Sequence, residues 1–464
     1  MQGRWIVAAT VLGSGIVFLD GTVVNVALPA IRASLGMGVS GLQWTLDAYL
    51  VALTSLLLFG GSLGDIAGRR RVFVYGLLGF VVASVACGAA PNAAALIAAR
   101  GAQGVADAFL VPGSLAIVSS TFHPDDRSRA IGAWSGLAGA ASALGPFLGG
   151  WLIDAVSWRL IFLINVPLVA LTVWIARKHI PETRDEDAGA PDWAGAAAAT
   201  IGLASLTYGL IERRPVVAML GVAFLAALVA IESHVEAPML PLAVFRSPQF
   251  TGANLTTFAV YMALGGAFFL LVVQLQVALH YSALEAGTAM MPVTLLMLAL
   301  SARAGALAQR IGPRLPMTAG PIVAAGGLVL FARVAPGSTY VGAVLPAVVV
   351  FGLGLTLTVA PLTAAVLAAV DEHHIGAGSG VNNAVARLGG LIAVAVLPAL
   401  AGIDALSAGA LSAGFMTAMR ICAATCAAGG VIAFATVRTA AKVDTHTHPS
   451  LVHACHHQDV SAAA

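Results

Sequence analysis

Charge is what this sequence has least of. Only 9% of its 464 residues are Asp, Glu, Lys or Arg, against about 25% in a soluble domain, too little to cover a water-soluble globule of this length. Lys178 and Lys442 are its two lysines, and the net charge of +2 supplies no basic field for a nucleic acid. Cysteine is scarce as well: of four, Cys87, Cys422 and Cys426 lie in apolar stretches and Cys455 near the end, a spacing that suits neither a disulfide framework nor a metal site. The spans contain no histidine near an acid except around Glu232 and His234 and around Asp371 and His374, which fall in cytoplasmic loops. A membrane-embedded enzyme needs a nucleophile–base pair or metal ligands at membrane depth, and neither is in sight, so no catalytic residue, cofactor or metal is expected. What the chain does have is 59% hydrophobic residues and a mean hydropathy of +0.93. It reads as an all-α, polytopic membrane protein.

At ~20 apolar residues per crossing, fourteen spans are expected, beginning near Trp5, Leu42, Val72, Ala93, Ala130, Leu160, Trp193, Pro215, Phe250, Glu285, Leu315, Tyr340, Arg387 and Ala413. The first has Arg4 ahead of an apolar run, as a signal peptide does. That run is ~24 residues long against ~7–15 for a signal core, and it contains Asp20 and Asn25, so it is read as a helix that stays. An even number of spans places both ends on one side. Arginine and lysine are concentrated, roughly fifteen to five, in the N-terminus, the even-to-odd connections and the tail, which predicts cytoplasmic termini. The arginine-over-lysine bias and the alanine richness look like a GC-rich bacterial genome, and the expected location is the bacterial cytoplasmic membrane.

The most polar internal stretch, residues 177–191, follows the sixth span. It divides the chain into a six-helix bundle over 1–177, a linker with two inserted helices over 178–249, a second six-helix bundle over 250–437 and a tail over 438–464. His446, His448, His453, His456 and His457 in that tail are spaced irregularly and read as a polar, disordered end rather than a metal site. The glycines at 376, 378 and 380 follow no strand and carry no nucleotide-loop reading.

The most informative stretch is residues 61–71, a charged, glycine-rich turn between two apolar runs. It reads Gly-x-Leu-x-Asp-x-x-Gly-Arg-Arg, with Gly61, Leu63, Asp65, Gly68, Arg69 and Arg70 at the fixed positions. Glycine permits a sharp turn between closely packed helix ends, and Asp65 can cap a helix or pair with an arginine. A second copy keeps Gly305, Leu307, Gly312 and Arg314, each 244 positions on, so the chain reads as a duplicated bundle. This pattern resembles the loop between helices 2 and 3 of the major facilitator superfamily. Residues 19–29 (LDGTVVNVALP), 158–167 (WRLIFLINVP), 191–195 (PDWAG) and 376–383 (GAGSGVNN) ahead of Arg387 resemble its fourteen-helix drug:proton antiporters. Gly145, Pro146, Gly149 and Gly150 on span 5 are similar to the antiporter motif of that family, although Ala141 stands where a further glycine is usual. The resemblance implies two six-helix bundles with two central inserted helices and a proton-driven exporter of drugs or antibiotics. Its partners would be a small hydrophobic or amphipathic molecule, protons and the bilayer, and it would act as a monomer. A dedicated metabolite exporter and an importer of the same fold stay open, and a channel suits the duplication less well.

An ionisable side chain at the centre of a membrane helix costs about 2.5–3.5 kcal/mol, so each one in a span is a site candidate. At ~1.5 Å per residue, Asp20 lies roughly 22 Å from the inner end of span 1, Asp47 roughly 7 Å and Arg100 roughly 10 Å from the outer ends of spans 2 and 4. These depths coincide. The resemblance associates Asp20 and Arg100 with proton coupling; the alternative is a static ion pair. Asp47 is either part of that layer or a carboxylate at a helix N-terminus. Asp107, seven residues beyond Arg100 and on its face, replaces a small residue usual in the family, and is either a cation-selective or protonatable group or a hydrated one. Glu285 is expected at a helix N-terminus, Arg387 at the inner start of span 13, and Arg420 roughly 10 Å into span 14. Phe258, Tyr261, Phe268, Phe269, Gln274 and Gln276 on span 9 are candidates for an apolar substrate wall.

Overall fold

The computed structural model describes residues 2–186, 189–235, 238–371, 375–405 and 407–438. The tail histidines and His374 lie outside them. Among the described residues, fourteen helices are long and apolar enough to cross a membrane: α1 Gly3–Leu35, α2 Val39–Ala67, α3 Arg69–Ala89, α4 Ala93–Thr121, α5 Arg129–Ala155, α6 Leu160–His179 and α7 Trp193–Ile211. They continue with α8 Pro215–Glu232, α9 Pro248–Val277, α10 Ala283–Ile311, α11 Arg314–Phe331, α12 Tyr340–Leu367, α13 Gly376–Leu400 and α14 Ala408–Thr436. Helix is the expected answer to lipid, where the backbone must satisfy its own hydrogen bonds.

Polar side chains set the helix boundaries. Asn92 Oδ1 accepts from Ala95 N at 2.9 Å to start α4, and Asp192 Oδ1 from Gly195 N at 2.8 Å to start α7. Ser282 and Glu285 form a reciprocal capping box at the head of α10, which gives Glu285 the place predicted for it. Two span starts differ from the sequence reading. The helical segment of α13 begins at Ile375, one residue ahead of its membrane-spanning range, because small residues and glycines support a membrane helix that a hydropathy count starts late. Arg387 is therefore about 18 Å into the helix rather than at its mouth. Arg420 likewise stands about 18 Å from the start of α14, and it is exposed.

Helix pairings repeat along the chain. The contacts α1–α5, α1–α6, α2–α4, α3–α4 and α3–α6 recur as α9–α13, α9–α14, α10–α12, α11–α12 and α11–α14, each partner eight helices on. The hairpin α7–α8 has no counterpart. Its first helix lies in the seam between α2 and α13, with Leu203 packed among Val51, Leu391 and Leu225, while α8 is largely uncovered.

The glycine-rich turn is shorter than the sequence suggests. Helix α2 continues through Ala67 and α3 starts at Arg69, so only Gly68 breaks the chain, at φ +107°. An L side chain is strained there, and a Cβ would also lie 2.7 Å from Glu182 Oε1. Asp65 does not cap α3. It pairs with Arg69 four residues on, at 2.7 Å, while Glu182 from the linker takes the Arg70 N–H at 3.0 Å. The second copy has the same construction, with Gly312 at φ +85° between α10 and α11. Arg70 donates to Ile180 O beyond α6 at 3.1 Å, and Arg314 donates to Phe434 O at the end of α14 at 2.9 Å.

At the end of the molecule away from the N-terminus, α5 and α10 meet without side chains to hold them apart. A Cβ on Gly150 would lie 2.5 Å from Leu284 Cα, and one on Gly287 would lie 2.2 Å from Pro146 O. Asp154 then accepts from Ala283 N at 3.1 Å and from Leu284 N at 2.8 Å, so a carboxylate from α5 caps the N-terminus of α10. Towards their other ends, α5 and α10 carry Leu137, Leu144, Leu298 and Leu307 exposed. Losing a helix cap costs about 1 kcal/mol. Asp154→Ala should therefore shift the open-to-closed ratio at this junction roughly fivefold towards open. Spin labels on Val156→Cys and His280→Cys would report it as a longer distance population. An unchanged distribution would assign the junction to glycine packing alone.

Candidate functional site

The site grows from one helix face of α4. Arg100 and Gln103 are three residues apart and so lie side by side. Both are buried between α1, α2, α3 and α6. Arg100 Nη1 reaches Asp20 Oδ2 of α1 at 2.6 Å and Gln103 Oε1 at 2.7 Å, and Arg100 Nε donates to Thr45 O of α2 at 3.1 Å. Gln103 Nε2 donates to the second Asp20 oxygen at 3.0 Å, and Asn165 Nδ2 of α6 approaches the same oxygen at 3.4 Å. Ser84 of α3 closes the network, accepting from Asn165 at 2.9 Å and donating to Phe162 O at 2.9 Å. The guanidinium carbon lies 4.2 Å from the centre of the Tyr49 ring. A desolvated contact of this kind contributes about 2 kcal/mol.

Tyr49 joins this network to the residue that departs from the family pattern. Its hydroxyl donates to Asp107 Oδ2 at 2.6 Å, and Asp107 Oδ1 is buried with no hydrogen-bond partner. Asp107 is the last residue of the regular part of α4. The helix is interrupted at Ala108 and Phe109 and resumes at Leu110, where Gly60 of α2 lies against Ala108 O. The sequence expectation that Arg100 and Asp107 share a face is met, since one tyrosine touches both.

Asp47 is not brought to this cluster, although its depth matches. Thr45 and Tyr49 face Arg100, and a residue midway between them on a helix points the opposite way. Its own stripe carries Gln43, which donates to Val394 O and Ala395 O of α13 at 2.7 and 3.0 Å, and Val51, packed on Leu203 and Leu391. Asp47 is thus buried towards α7 and α13, with neither oxygen hydrogen-bonded. It is not a helix N-terminal carboxylate either. Arg387 has moved the other way. Ala384, one turn before it on α13, packs on the cluster of Tyr49, Leu53, Leu57 and Ala108, so the arginine stands at the junction of α13 with α2 and α4, its Nε buried without a partner.

The glycines of α5 hold this helix against α1. A Cβ on Gly145 would lie 2.1 Å from Thr22 Oγ1, and one on Gly149 would lie 2.2 Å from Val23 Cγ2. Thr22 Oγ1, two residues from Asp20 on α1, donates to Ser142 O at 3.1 Å. The span 9 residues do not form one wall. Phe269 is packed in the main core, Gln274 donates to Val334 O and Ser412, and Gln276 crosses to Val26 O of α1 at 2.9 Å. Sequence reasoning missed Tyr49, Gln103, Asn165 and Ser84 as site residues. For Gln103 and Asn165 the signal was available, in an amide three places from Arg100 and another ahead of Pro167; for Ser84 there was none. Among the described residues, no group of three His, Cys, Asp or Glu side chains is placed to hold a metal.

Comparison with known proteins places the chain. The puromycin resistance protein of Streptomyces alboniger is 34% identical over 407 residues, covering 85% of this chain and 81% of that protein. The multidrug resistance protein Stp of Mycobacterium tuberculosis is 33% identical over 399 residues, covering 84% and 74%. A bacterial homologue of the lysosomal transporter Spinster, solved inward-facing and unoccupied, has the same fold, with a TM-score of 0.67 at 16% identity over 94% of this chain and 97% of that one. The sequence model described as Major Facilitator Superfamily matches residues 10–394, and the chain belongs to that family of multi-pass membrane transporters.

Proposed function

We propose that this protein exports hydrophobic or amphipathic small molecules, drugs or antibiotics among them, in exchange for protons. The observation that carries the reading is the Asp20–Arg100 pair, sealed inside the first bundle and tied through Tyr49 to α2, the helix that runs along α13 of the second. The names of the two relatives, resistance to puromycin and to many drugs, support export. In this reading residues 1–177 and 250–437 are the moving bundles, residues 178–249 carry the inserted pair, and both termini are cytoplasmic. The α5–α10 junction then closes the outer face, and the site opens inward. The protein acts as a monomer.

The coupling follows from charge balance. A proton added to Asp20 removes the counter-charge of Arg100 while Gln103 Oε1 and Thr45 O still accept from it. The guanidinium then seeks a new acceptor, and Asp107 lies across the Tyr49 ring. A shift of Arg100 towards Asp107 drags on Tyr49 and so on α2, whose Gln43 is bonded to α13. A proton leaving on the other side of the membrane reverses the step. Asp47, buried without a hydrogen-bond partner, is the second carboxyl available to a proton. Asp107 and Arg387 contribute opposite charges at the bundle interface, which suits amphipathic substrates that carry a charge. The turn of Gly61, Asp65, Gly68, Arg69 and Arg70 is the gate that breaks and remakes its contacts as the bundles rock.

Three outcomes test this. In proteoliposomes, Asp20→Asn should abolish pH-gradient-driven flux while substrate exchange without a gradient survives. It should also lower Tm, since stranding a buried charge costs about 3–5 kcal/mol. Full gradient-driven flux in this variant would remove Asp20 from the coupling step. Asp107→Ala should raise KM about tenfold or more for cationic compounds and leave neutral ones within about twofold, a loss of about 1.5–3 kcal/mol for one contact with a charged group; equal losses for both would make Asp107 structural. Asp65→Asn, at matched protein amount in the membrane, should slow transport several-fold by weakening the charge-assisted bond to Arg69. Unchanged export would leave the loop as a topology signal.

A further inference from the structure

Outside the transport site, one cavity is lined by cations. It has a volume of about 210 Å³ and lies between the start of α3 and the end of α6, lined by Arg70, Arg71, Val74, Tyr75 and Arg177. The run Arg69–Arg70–Arg71 does not spend its three charges alike. Arg69 is held by Asp65 at 2.7 Å, and Arg70 by Glu182 at 3.5 Å and by Ile180 O. Among the described residues Arg71 meets only the same Glu182, at 3.7 Å, with its side chain 69% exposed. Arg177 is exposed in the last turn of α6. The lining holds three arginines and no acid, and the one carboxylate Glu182 is divided between Arg70 and Arg71.

The surroundings say where this cavity sits. Tyr75 and Trp174 are 70% and 54% exposed, and Lys178 Nζ lies 5.3 Å from the Trp174 ring. Trp5, at the start of α1, stacks on His179 with ring centres 5.2 Å apart. Exposed tryptophan and tyrosine beside arginine and lysine at helix ends is the composition of a membrane–water boundary. Ligand pockets for drugs run to about 300–1,000 Å³ and are mostly apolar, so the cavity is too small and too basic for the exported molecule. Basic pockets between membrane helices at that depth suit lipid headgroups.

We infer that Arg71, Arg177 and Arg70, with Tyr75 along the chains, bind the phosphate-bearing headgroup of an anionic phospholipid. Arg71 and Arg177 supply charge-assisted hydrogen bonds to the phosphate oxygens. Arg70 stays tied to the linker, so a lipid seated here bears on Glu182 and on the turn that Glu182 caps. The phosphate chemistry alone does not separate a lipid from free phosphate; the acyl chains against the exposed Tyr75 do.

The test uses the full-length protein in nanodiscs of phosphatidylcholine doped with phosphatidylglycerol, with retained lipid counted by native mass spectrometry after extraction. Wild type should retain phosphatidylglycerol over phosphatidylcholine. Arg71→Gln combined with Arg177→Gln should weaken that retention roughly 30-fold. Arg184→Gln removes an equally exposed arginine whose ion pair, to Glu186, is 3.9 Å long, and it should leave retention as it was. Tyr75→Ala, at an exposed position the fold does not depend on, should lower retention several-fold. Equal loss in Arg184→Gln would reduce the effect to general surface charge, and full retention in the double variant would overturn the site. Inorganic phosphate at millimolar concentration should not displace the lipid; complete displacement would reassign the cavity to free phosphate.

Discussion

A charge placed inside a bilayer must find its partner within the protein, and that constraint shapes the first bundle. Arg100 is surrounded by what it needs: a carboxylate from α1, an amide from its own helix, a carbonyl from α2 and an aromatic face. Asp20 is matched in turn, with its two oxygens divided between Arg100, Gln103 and Asn165. A buried ion pair is weak evidence of stability, because desolvation offsets most of its attraction. Its value is specificity. Helices α1, α2, α3, α4 and α6 can each be placed in only one register that satisfies the arginine, and any change in the charge of Asp20 is felt by all of them.

The second constraint is the close approach of backbones. In lipid there is little hydrophobic drive between helices, so they associate through contacts that small residues permit. Gly145 and Gly149 fit α5 to α1, while Gly150 with Gly287 fits α5 to α10. One helix is thereby locked to its own bundle through one pair of glycines and to the other bundle through the next. This joins the coupling pair to the bundle junction, since Thr22, against which Gly145 lies, is two residues from Asp20. The turn at Gly68 and its copy at Gly312 add a connection in each half whose positive φ strains any residue with a side chain.

Much of this was legible in the sequence, and the failures have physical causes. The span count and the repeated turn followed from hydropathy and from six fixed positions, because lipid imposes both length and polarity. Asp20 and Arg100 were legible as ionisable residues at equal depth. Depth failed for Asp47, since it measures position along a helix axis and says nothing of rotation about it; two residues from Thr45 and Tyr49, the side chain faces α13. Arg387 was misplaced because glycines and asparagines at 376–383 look like a loop to a hydropathy count, whereas Asn382 satisfies its amide on Asn254 and Thr257 of α9, at 3.1 and 2.7 Å.

Asp154 and Glu182 mark the remaining gap. Each serves as a helix cap for a segment far away in the chain, α10 for Asp154 and α3 for Glu182. No local pattern announces a cap whose helix lies more than a hundred residues off. By itself, then, the sequence determined the membrane class, the fourteen helices, the duplicated turn and the identity of the charges that must be buried, because solvent and chain length act on every residue independently. Tertiary structure alone decided which of those charges meet, which of them stand unpaired at the bundle interface, and which carboxylates close the junctions, because these depend on helix rotation and on contacts between distant segments.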